Sequence, residues 1–278
     1  MNVSIAELEE KAFHIRKAML DMCIRAGTGH VTSSLSCIDI LVALYYGGIL
    51  RVDPRRPDWG ERDRFILSKG QASPALYTIL ADKGFFPEGE CGKFAQRGGR
   101  FGVHLQHDVP GVEITSGSLG QGFGIAAGLA LGAKMNRDGF LVFSLLGDGE
   151  CYEGSVWETA MFAGHHRLNN LVAIIDRNFL CVTDFTENIV KLEPLEDKWN
   201  SFGWQVYRIN GHSIEELLAV LGKARTRPSD KPTVVIADTV KGKGIDSISN
   251  IPLWHGIAPK GKQADLCRQE LEKGHRHE

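Results

Sequence analysis

Short apolar runs alternate along the chain with segments in which apolar residues recur at helical spacing. Runs of this kind, bounded by polar or turn residues, are typical of strands that are buried on both faces of a parallel sheet. The predicted strands are Arg64–Leu67, Leu141–Leu146, Leu171–Ile175, Trp204–Ile209 and Val234–Asp238. The predicted helices are residues 154–166, a segment that Ser73-Pro74 opens, a glycine- and alanine-rich stretch from Gly120 to about Lys134, and an amphipathic helix after His30.

This alternation predicts an α/β fold, with a mostly parallel central sheet and helices on both faces. The length of 278 residues and the hydrophobic content of 43% allow one large domain with an ample core. Because no linker rich in proline, glycine or serine and no block of charge interrupts the pattern, we expect residues 1–278 to form a single domain.

Charge and cysteine content narrow the class of protein further. The formal net charge of −2 gives no electrostatic case for a nucleic acid or a membrane surface as partner. No apolar run approaches the ~20 residues that cross a bilayer, and the acidic start of the chain does not resemble a signal peptide. The six cysteines are scattered without CxxC pairs, as is typical of reduced thiols in a cytoplasmic protein.

Two polar side chains stand at the ends of neighbouring predicted strands. Asp148 ends the apolar run 140–147, and Asn178 follows the run 171–176 after a helical segment. A strand–helix–strand crossover of this kind brings both side chains to the same edge of a parallel sheet. Carboxylate and amide oxygens suit Mg²⁺, whose coordination substrate phosphates complete. The sequence therefore predicts a magnesium–diphosphate site at the carboxyl edge of the sheet.

Further motifs surround this pair in a fixed order. They are Gly27-Thr-Gly-His30, Ser68-Lys-Gly-Gln71, the segment 110–122 with Gly117-Ser-Leu119, and Trp254-His255-Gly256. Together with Gly147-Asp148-Gly149 and an asparagine 30 residues later, they resemble the N-terminal, diphosphate-binding half of transketolase. The sequence most resembles the free-standing N-terminal subunits of split bacterial transketolases. The resemblance runs from about residue 8 to about residue 260.

The resemblance implies thiamine diphosphate as cofactor, held through Mg²⁺ or another divalent cation such as Ca²⁺ or Mn²⁺. Asp148, Asn178 and the main-chain carbonyl of Leu180 would bind the metal. The residues implied to contact the cofactor are Gln71, Gly117, Ser118, Leu119, Gly147, Asp148, Gly149, Glu150, Asn178 and His255.

The resemblance also implies roles in the chemistry. His30 and His255 would flank the reacting carbon, His104 would meet the hydroxyls of the donor sugar, and Glu153 would link two active sites through a proton network. Histidine suits such tasks because its pKa lies near neutrality. Gln71 stands where the family usually has histidine, and glutamine can donate a hydrogen bond but cannot carry charge or relay a proton.

A second chain is expected. In the family, the carboxylate that meets the aminopyrimidine ring belongs to a pyrimidine-binding domain that this sequence does not contain. We therefore expect a separate C-terminal subunit, with two copies of each chain in an α2β2 assembly, and ketol transfer between small sugar substrates only when both chains are present.

Two other functions stay open at the level of sequence. The α subunit of a 2-oxo-acid dehydrogenase shares the Gly-Asp-Gly and asparagine pattern and also needs a partner, although His30, His104 and His255 fit sugar handling better. A non-catalytic subunit that binds cofactor and regulates is the second alternative, and Gln71 is the feature in its favour.

Overall fold

The computed structural model describes residues 3–226 and 229–275. The strands are β1 (Arg64–Leu67), β2 (Val142–Gly147), β3 (Leu171–Arg177), β4 (Leu180–Cys181), β5 (Asp184–Phe185), β6 (Gln205–Asn210) and β7 (Thr233–Asp238). Five of them form a parallel sheet in the spatial order β1-β2-β3-β7-β6, and β4 pairs with β5 in a short antiparallel hairpin.

Helices follow and precede the strands in the order that an α/β fold requires. They are α1 (Ile5–Ala26), α2 (Val31–Leu35), α3 (Ile38–Tyr46), α4 (Ser73–Asp82), α5 (Gln121–Asn136), α6 (Gly154–His165), α7 (Thr186–Ile189), α8 (Leu195–Ser201), α9 (Ile214–Arg225) and α10 (Lys262–His275). Within the described ranges, no helix combines the length and the apolar character that crossing a membrane would need.

The sheet separates two hydrophobic cores because successive strand residues point to opposite faces. Phe143 and Leu145 of β2 pack into a core that α1, α3, α4 and α9 cover. Val142 and Leu146 of the same strand pack into a second core with α5, α6 and α8. The prediction of a mostly parallel sheet with helices on both faces is confirmed.

The predicted strands are also confirmed: Arg64–Leu67 matches at both ends, and the ends of the others differ by at most two residues. The prediction of an amphipathic helix after His30 is wrong. Two short helices, α2 and α3, stand there, and they are buried on nearly all sides. Both helices pack against α1 and α4, and α3 also packs against α9, so neither helix has a solvent face that polar residues would mark.

Segments of distant sequence meet at the carboxyl edge of the sheet. Gly147 lies beside Asp176 in the register of β2 and β3, and Arg177 lies beside Asp238 in the register of β3 and β7. The loops that follow β1, β2, β3 and β7 therefore leave the sheet side by side.

Candidate active site

A pocket opens at this carboxyl edge, and most of the predicted site residues line it. They are His30, Gln71, His104, Gly117, Leu119, Gly147, Asp148, Gly149, Glu150, Asn178, Leu180 and His255. These residues come from loops that are far apart in sequence, so their convergence is a property of the fold.

Two predicted residues do not line the pocket. Ser118 is exposed, between the pocket residues Gly117 and Leu119. Glu153 is exposed immediately before α6, where its side chain lies close to Gly120. The proton network predicted for Glu153 therefore requires a second chain and stays a prediction.

Asp148 is held in one orientation by donors on both of its carboxylate oxygens. Oδ1 accepts from the backbone N–H of Gly149 at 2.8 Å, and Oδ2 accepts from the N–H of Phe179 at 2.6 Å and from Arg177 at 3.1 Å. Burial, together with the nearby charge of Asp176, raises the pKa of Asp148. A cation bound beside this carboxylate would favour its ionised form.

Asn178 and Leu180 lie in a tightly bonded loop after β3. The side-chain amide of Asn178 donates to the carbonyl of Asp176 at 3.3 Å, and its oxygen accepts from the N–H of Leu180 at 3.2 Å. The same loop holds Phe179 and Val182 at φ of 64° and 48°, a backbone region that β-branched residues such as valine rarely adopt. This strained conformation fixes where the oxygens of the loop lie.

The donor set fits a hard divalent cation. Carboxylate, amide and carbonyl oxygens are the ligands that Mg²⁺ and Ca²⁺ take, with phosphates and waters completing the shell. In the described part of the chain, no group of three or more His, Cys, Asp or Glu side chains forms a metal cluster of another type. Asp148, Asn178 and the carbonyl of Leu180 could hold such a metal, and their role as its ligands stays a prediction.

Gly149 lies against Cys181, and this contact leaves no room for a side chain. A Cβ atom added at Gly149 would lie 2.8 Å from Sγ and 3.0 Å from Cβ of Cys181. Such distances are shorter than van der Waals contact, so glycine is required for the backbone after Asp148 to lie beside the loop that carries Leu180.

Arg177 is a site residue that the sequence analysis missed. Its side chain is completely buried and pairs with Asp148, with Glu187 at 2.9 Å and with Glu193 at 3.1 Å. It also donates to the hydroxyl of Thr186 at 2.6 Å. The guanidinium therefore orients the carboxylate of Asp148 and holds the loop after β3 in place. Its position directly before Asn178 was the available signal.

A second buried ion pair, also missed, joins Lys69 to Asp176. Asp176 accepts further hydrogen bonds from the hydroxyls of Ser36, at 2.6 Å, and Thr239. Burial opposes ionisation, but Lys69 and these donors hold the pKa of Asp176 below its ordinary value. The pair connects the loop after β1 to the end of β3.

Glu150 has a structural role that its motif did not reveal. Its carboxylate accepts from the N–H groups of Gly120 at 2.8 Å and Gly147 at 3.0 Å, and from the hydroxyl of Ser68. Burial nevertheless raises the pKa of this side chain. Glu150 thus connects the start of α5 to the ends of β1 and β2, and the cofactor contact that the resemblance implies for it stays a prediction.

Three histidines converge at the mouth of the pocket. The ring of His30 lies 5.4 Å from that of His255 and 5.5 Å from that of His104, measured between centroids. His104 packs on Gly117, where an added Cβ would lie 3.3 Å from the ring. Thr32 donates to the carbonyl of Trp254 at 3.0 Å and so fixes the segment of His255 beside His30.

His30 and His255 are neutral in the free chain at neutral pH. Burial and the charges of His104, Lys241 and Lys69 lower the pKa of His30 to about 4. Burial and the charges of Lys241, His30 and Lys69 lower the pKa of His255 to about 3. A neutral imidazole has one N–H donor and one acceptor nitrogen, so each ring can donate a hydrogen bond to a sugar oxygen or take a proton from it, and can return that proton once it is protonated.

Lys241 and Cys181 also line the pocket, although no motif singled them out. The ammonium of Lys241 donates to the carbonyl of Leu180 at 3.3 Å. Burial and the charge of Lys69 lower the pKa of Lys241 to about 8. Gln71, the departure from the family pattern, lies in the same pocket and brings no charge to it.

Comparison with known proteins points to one family. Residues 9–276 match the profile described as transketolase, thiamine diphosphate binding domain. A 6-deoxy-6-sulfo-D-fructose transketolase subunit from Clostridium sp. (strain MSTE9) is 42% identical over 96% of this chain and 97% of its own length. One subunit of an apulose-4-phosphate transketolase from Phocaeicola vulgatus is 36% identical over 98% of this chain and 96% of its own length.

Solved structures agree with these relatives. The transketolase from Campylobacter jejuni superposes with a TM-score of 0.88 at 31% identity. The match covers 100% of this chain and 43% of the Campylobacter chain, so this protein spans less than half the length of that enzyme.

Proposed function

The chain belongs to the transketolase family, and we propose that it is the diphosphate-binding N-terminal subunit of a two-subunit transketolase. The proposed reaction is the transfer of a two-carbon ketol unit from a ketose to an aldose, dependent on thiamine diphosphate and Mg²⁺. The observation that carries the proposal is the pocket in which the oxygen ligands of a metal, a glycine backbone and three histidines meet.

Thiamine diphosphate, when bound, supplies the carbon centre that accepts and releases the ketol unit. This chain would bind the diphosphate end of the cofactor. Asp148, Asn178 and the Leu180 carbonyl would hold the metal, and the backbone at Gly147 and Gly149 approaches closely enough to meet phosphate oxygens. Because Arg177 orients Asp148, these ligands are arranged before the metal binds.

The histidines face the place where sugar oxygens would lie. Neutral His30 and His255 have buried Nδ1 atoms without a partner in the described structure, and their rings meet at nearly a right angle. We infer that they exchange protons with the carbonyl and hydroxyl oxygens of the sugar, while His104 donates to hydroxyls farther out. Gln71 would position an oxygen but would not transfer a proton.

The need for a partner chain is supported by the relatives and by the surface around the pocket. The two relatives named above are subunits of about the length of this chain. We define the pocket rim as Val182, which lines the pocket, together with Leu253 and Ile257, which stand two residues before and two residues after the pocket residue His255. All three are large, apolar and exposed, with Leu253 at 75%. A pyrimidine-binding subunit covering the rim would bury this apolar area and would bring the carboxylate that the family sets against the aminopyrimidine ring.

Self-association is supported by a second apolar surface. We define the helix-pair face as Ile125 and Met135 of α5 and Met161 and Phe162 of α6, all exposed, with Met135 at 75%. Gly124 and Thr159 pack at the contact between these two helices. Glu153 lies at the start of α6, so a second copy on this face would approach the residue predicted to link two sites.

The proposed substrates are sugars that carry an anionic group. The names of the two relatives refer to a sulfonated fructose and a sugar phosphate. We therefore propose a ketose phosphate or sulfonate as donor and an aldose phosphate as acceptor, xylulose 5-phosphate and ribose 5-phosphate being the pair used in the pentose phosphate pathway. A cytoplasmic location is consistent with such substrates and with six free cysteines.

No observation favours the α subunit of a 2-oxo-acid dehydrogenase, because the family profile and the relatives compared are transketolases. A regulatory subunit without activity would not need the aligned metal ligands and the three histidines that the pocket retains.

The test begins with the tagged chain recovered from its native cells with thiamine diphosphate and Mg²⁺ present. The co-purifying chain is identified, produced separately and mixed with this one. We expect a chain with a transketolase pyrimidine-binding domain, and consumption of hydroxypyruvate with ribose 5-phosphate only when both chains are mixed. Robust turnover by this chain alone, or recovery of a dehydrogenase component, would overturn the proposal.

A further inference from the structure

His212 contacts two segments that lie far from it in the sequence. The residue follows β6, and its side chain is only 11% exposed. Nδ1 of the ring lies 2.7 Å from Oδ2 of Asp39 in α3, and Nε2 accepts the backbone N–H of Val240 at 2.8 Å. Val240 belongs to the loop after β7, and we define the β7 loop as residues 239–242. The imidazole therefore connects α3 to the β7 loop.

These two contacts determine the protonation state of the ring. A backbone N–H can only donate, so Nε2 of His212 must be the nitrogen that has no proton. Nδ1 then carries the proton and donates a hydrogen bond to the carboxylate of Asp39. In this form the ring is neutral and both of its nitrogens have a partner, as a buried polar ring requires.

Asp39 holds the ring in one orientation. Asp39 is 5% exposed, and the oxygen that accepts from His212 also pairs with Arg16 of α1. Burial opposes ionisation of this carboxyl, but the charge of Arg16 and the hydrogen bond from His212 hold its pKa below the ordinary value. On the backbone side, the N–H of His212 donates to the side chain of Asn210 at 3.0 Å. The ring is thus restrained at both ends, with Nε2 directed at the β7 loop.

On one side, the β7 loop meets the predicted metal ligands. Thr239 donates to Asp176 at the end of β3, and the ammonium of Lys241 donates to the carbonyl of Leu180 at 3.3 Å. That carbonyl is a predicted ligand of the metal. A displacement of the loop would therefore change the surroundings of an oxygen that the cation needs.

On its other side, the β7 loop supports the segments that carry two of the histidines. The N–H of Gly242 donates to the carbonyl of Thr32, two residues after His30, at 3.1 Å. The hydroxyl of Thr32 donates in turn to the carbonyl of Trp254, next to His255, at 3.0 Å. The loop therefore reaches both halves of the pocket, and the N–H that His212 accepts lies between these contacts.

We propose that His212 is a positioning residue, whose neutral ring holds the β7 loop and thereby the metal-ligand and histidine halves of the pocket. This inference rests on the proposed function. His212 does not line the pocket, so its effect passes through Val240. Without this acceptor, the amide of Val240 would have to turn toward another partner or toward water, and the loop would move with it.

Two variants separate the two contacts of the ring. In His212→Gln, the amide oxygen can lie near the position of Nε2 and accept from Val240, but the donor to Asp39 is lost. In His212→Asn, the side chain is shorter by one methylene, so it can donate to Asp39 but does not reach Val240. His14→Asn is the matched control, because His14 also pairs with a carboxylate, that of Glu10 at 2.9 Å, on the exposed face of α1.

Three measurements are made on the full chain: calorimetric binding of inorganic pyrophosphate with Mg²⁺, hydrogen exchange of the Val240 amide, and thermal unfolding without ligand. We expect His212→Asn to bind at least about fivefold more weakly and its Val240 amide to exchange at least about tenfold faster. His212→Gln should bind within about twofold of the native chain and keep the amide protected. Both variants should unfold at a lower temperature, because each removes one buried hydrogen bond. His14→Asn should match the native chain in binding and in exchange.

If His212 holds the loop, binding follows protection of the Val240 amide and not thermal stability. Equal binding by the two His212 variants, while their Val240 amides differ in protection, would overturn the inference. Native-like binding by His212→Asn with a rapidly exchanging Val240 amide would do the same. Absence of Mg²⁺-dependent pyrophosphate binding by the native chain would overturn the proposed function as well.

Discussion

At the scale of single residues, the pocket region contains buried carboxylates that are each paired with a buried cation. Asp148 and Asp176 end neighbouring strands, and each is neutralised from a different direction, by Arg177 and by Lys69. Breaking one such pair leaves a buried charge without a partner, which costs about 3–5 kcal/mol. The carboxyl edge of the sheet is therefore held in place by buried ion pairs that stabilise one another.

The contact between Gly149 and Cys181 predicts a pair of variants that correct each other. Gly149→Ala would place a methyl group 2.8 Å from Sγ of Cys181 and push apart the loops that carry Asp148 and Leu180. We expect Mg²⁺–thiamine diphosphate to bind more than about tenfold more weakly. Cys181→Gly removes both nearby atoms, so the double variant should recover most of the affinity in calorimetry. If Gly149→Ala binds as the native chain does, the close approach has no functional role.

The pKa values of the two central histidines predict an acid-sensitive chain. Both stay below the ordinary value of 6.5, at about 4 for His30 and about 3 for His255. Between about pH 6.5 and pH 4 the unfolded chain binds more protons than the folded one, so stability falls as the pH is lowered through this range. NMR titration should show two imidazoles without protonation at pH 5.5. Titration of the rings of His30 and His255 near pH 6.5 would contradict the buried, positively charged surroundings described for them.

Lys241 gives this titration an internal control. Its charge contributes to both depressed values, after burial. Lys241→Met should therefore raise the pKa of both rings in the same NMR experiment. Lys134→Met should leave them unchanged, because Lys134 lies outside the pocket and donates to the carbonyls of His166 and Arg167.

At the scale of elements, the loop after β3 depends on Arg177. This side chain contacts Asp148, Thr186 and Glu193, and its guanidinium lies 4.3 Å from the centre of the Phe179 ring. Loops with strained residues persist only where the surroundings hold them, and Phe179 and Val182 both have positive φ.

Arg177→Met should therefore lower the free energy of unfolding by about 3 kcal/mol, because Asp148 is left buried without its cation. The measurement is urea denaturation with and without Mg²⁺ and thiamine diphosphate. Saturating ligand should restore part of the loss, since the metal would compensate Asp148. Arg167→Met is the control, because Arg167 forms an exposed pair with Asp230 and should cost little. Equal effects of the two variants would argue against the role of Arg177.

Elements that the sequence predicted well are those with a local signal. The runs 140–147 and 171–176 are apolar because both faces of their strands are buried, and the polar residue after each run marks the sheet edge. The motif glycines and histidines converge because parallel strands place their ends together. By contrast, Lys69 and Lys241 look like surface residues in the sequence.

The features that the sequence did not predict are contacts between residues that lie far apart in the chain. Lys69 and Asp176 are 107 residues apart, and nothing in the sequence near either residue indicates that the two are partners. The predicted amphipathic helix after His30 was wrong because the sequence of α2 and α3 does not reveal that α1 covers them. The carboxylate of Glu150 escaped notice because its acceptor role depends on three separate segments.

At the scale of the whole molecule, we predict that the two exposed apolar surfaces make two different contacts. The pocket rim should meet the pyrimidine-binding chain, and the helix-pair face should meet a second copy. Met161→Glu should therefore break self-association without preventing capture of the partner, and Leu253→Glu should do the reverse, because a buried carboxylate without a cation is costly. Analytical ultracentrifugation of each variant, alone and with the partner, checks this. Loss of both contacts in one variant would show that the surfaces are not separate.

The most direct test of the account is calorimetric titration of thiamine diphosphate into the chain, with and without Mg²⁺. We predict binding that requires the metal and that Asp148→Asn weakens more than about tenfold, while the exposed control Asp230→Asn binds normally. Metal-independent binding, or equal affinity in the two variants, would contradict a metal–diphosphate site at the end of β2.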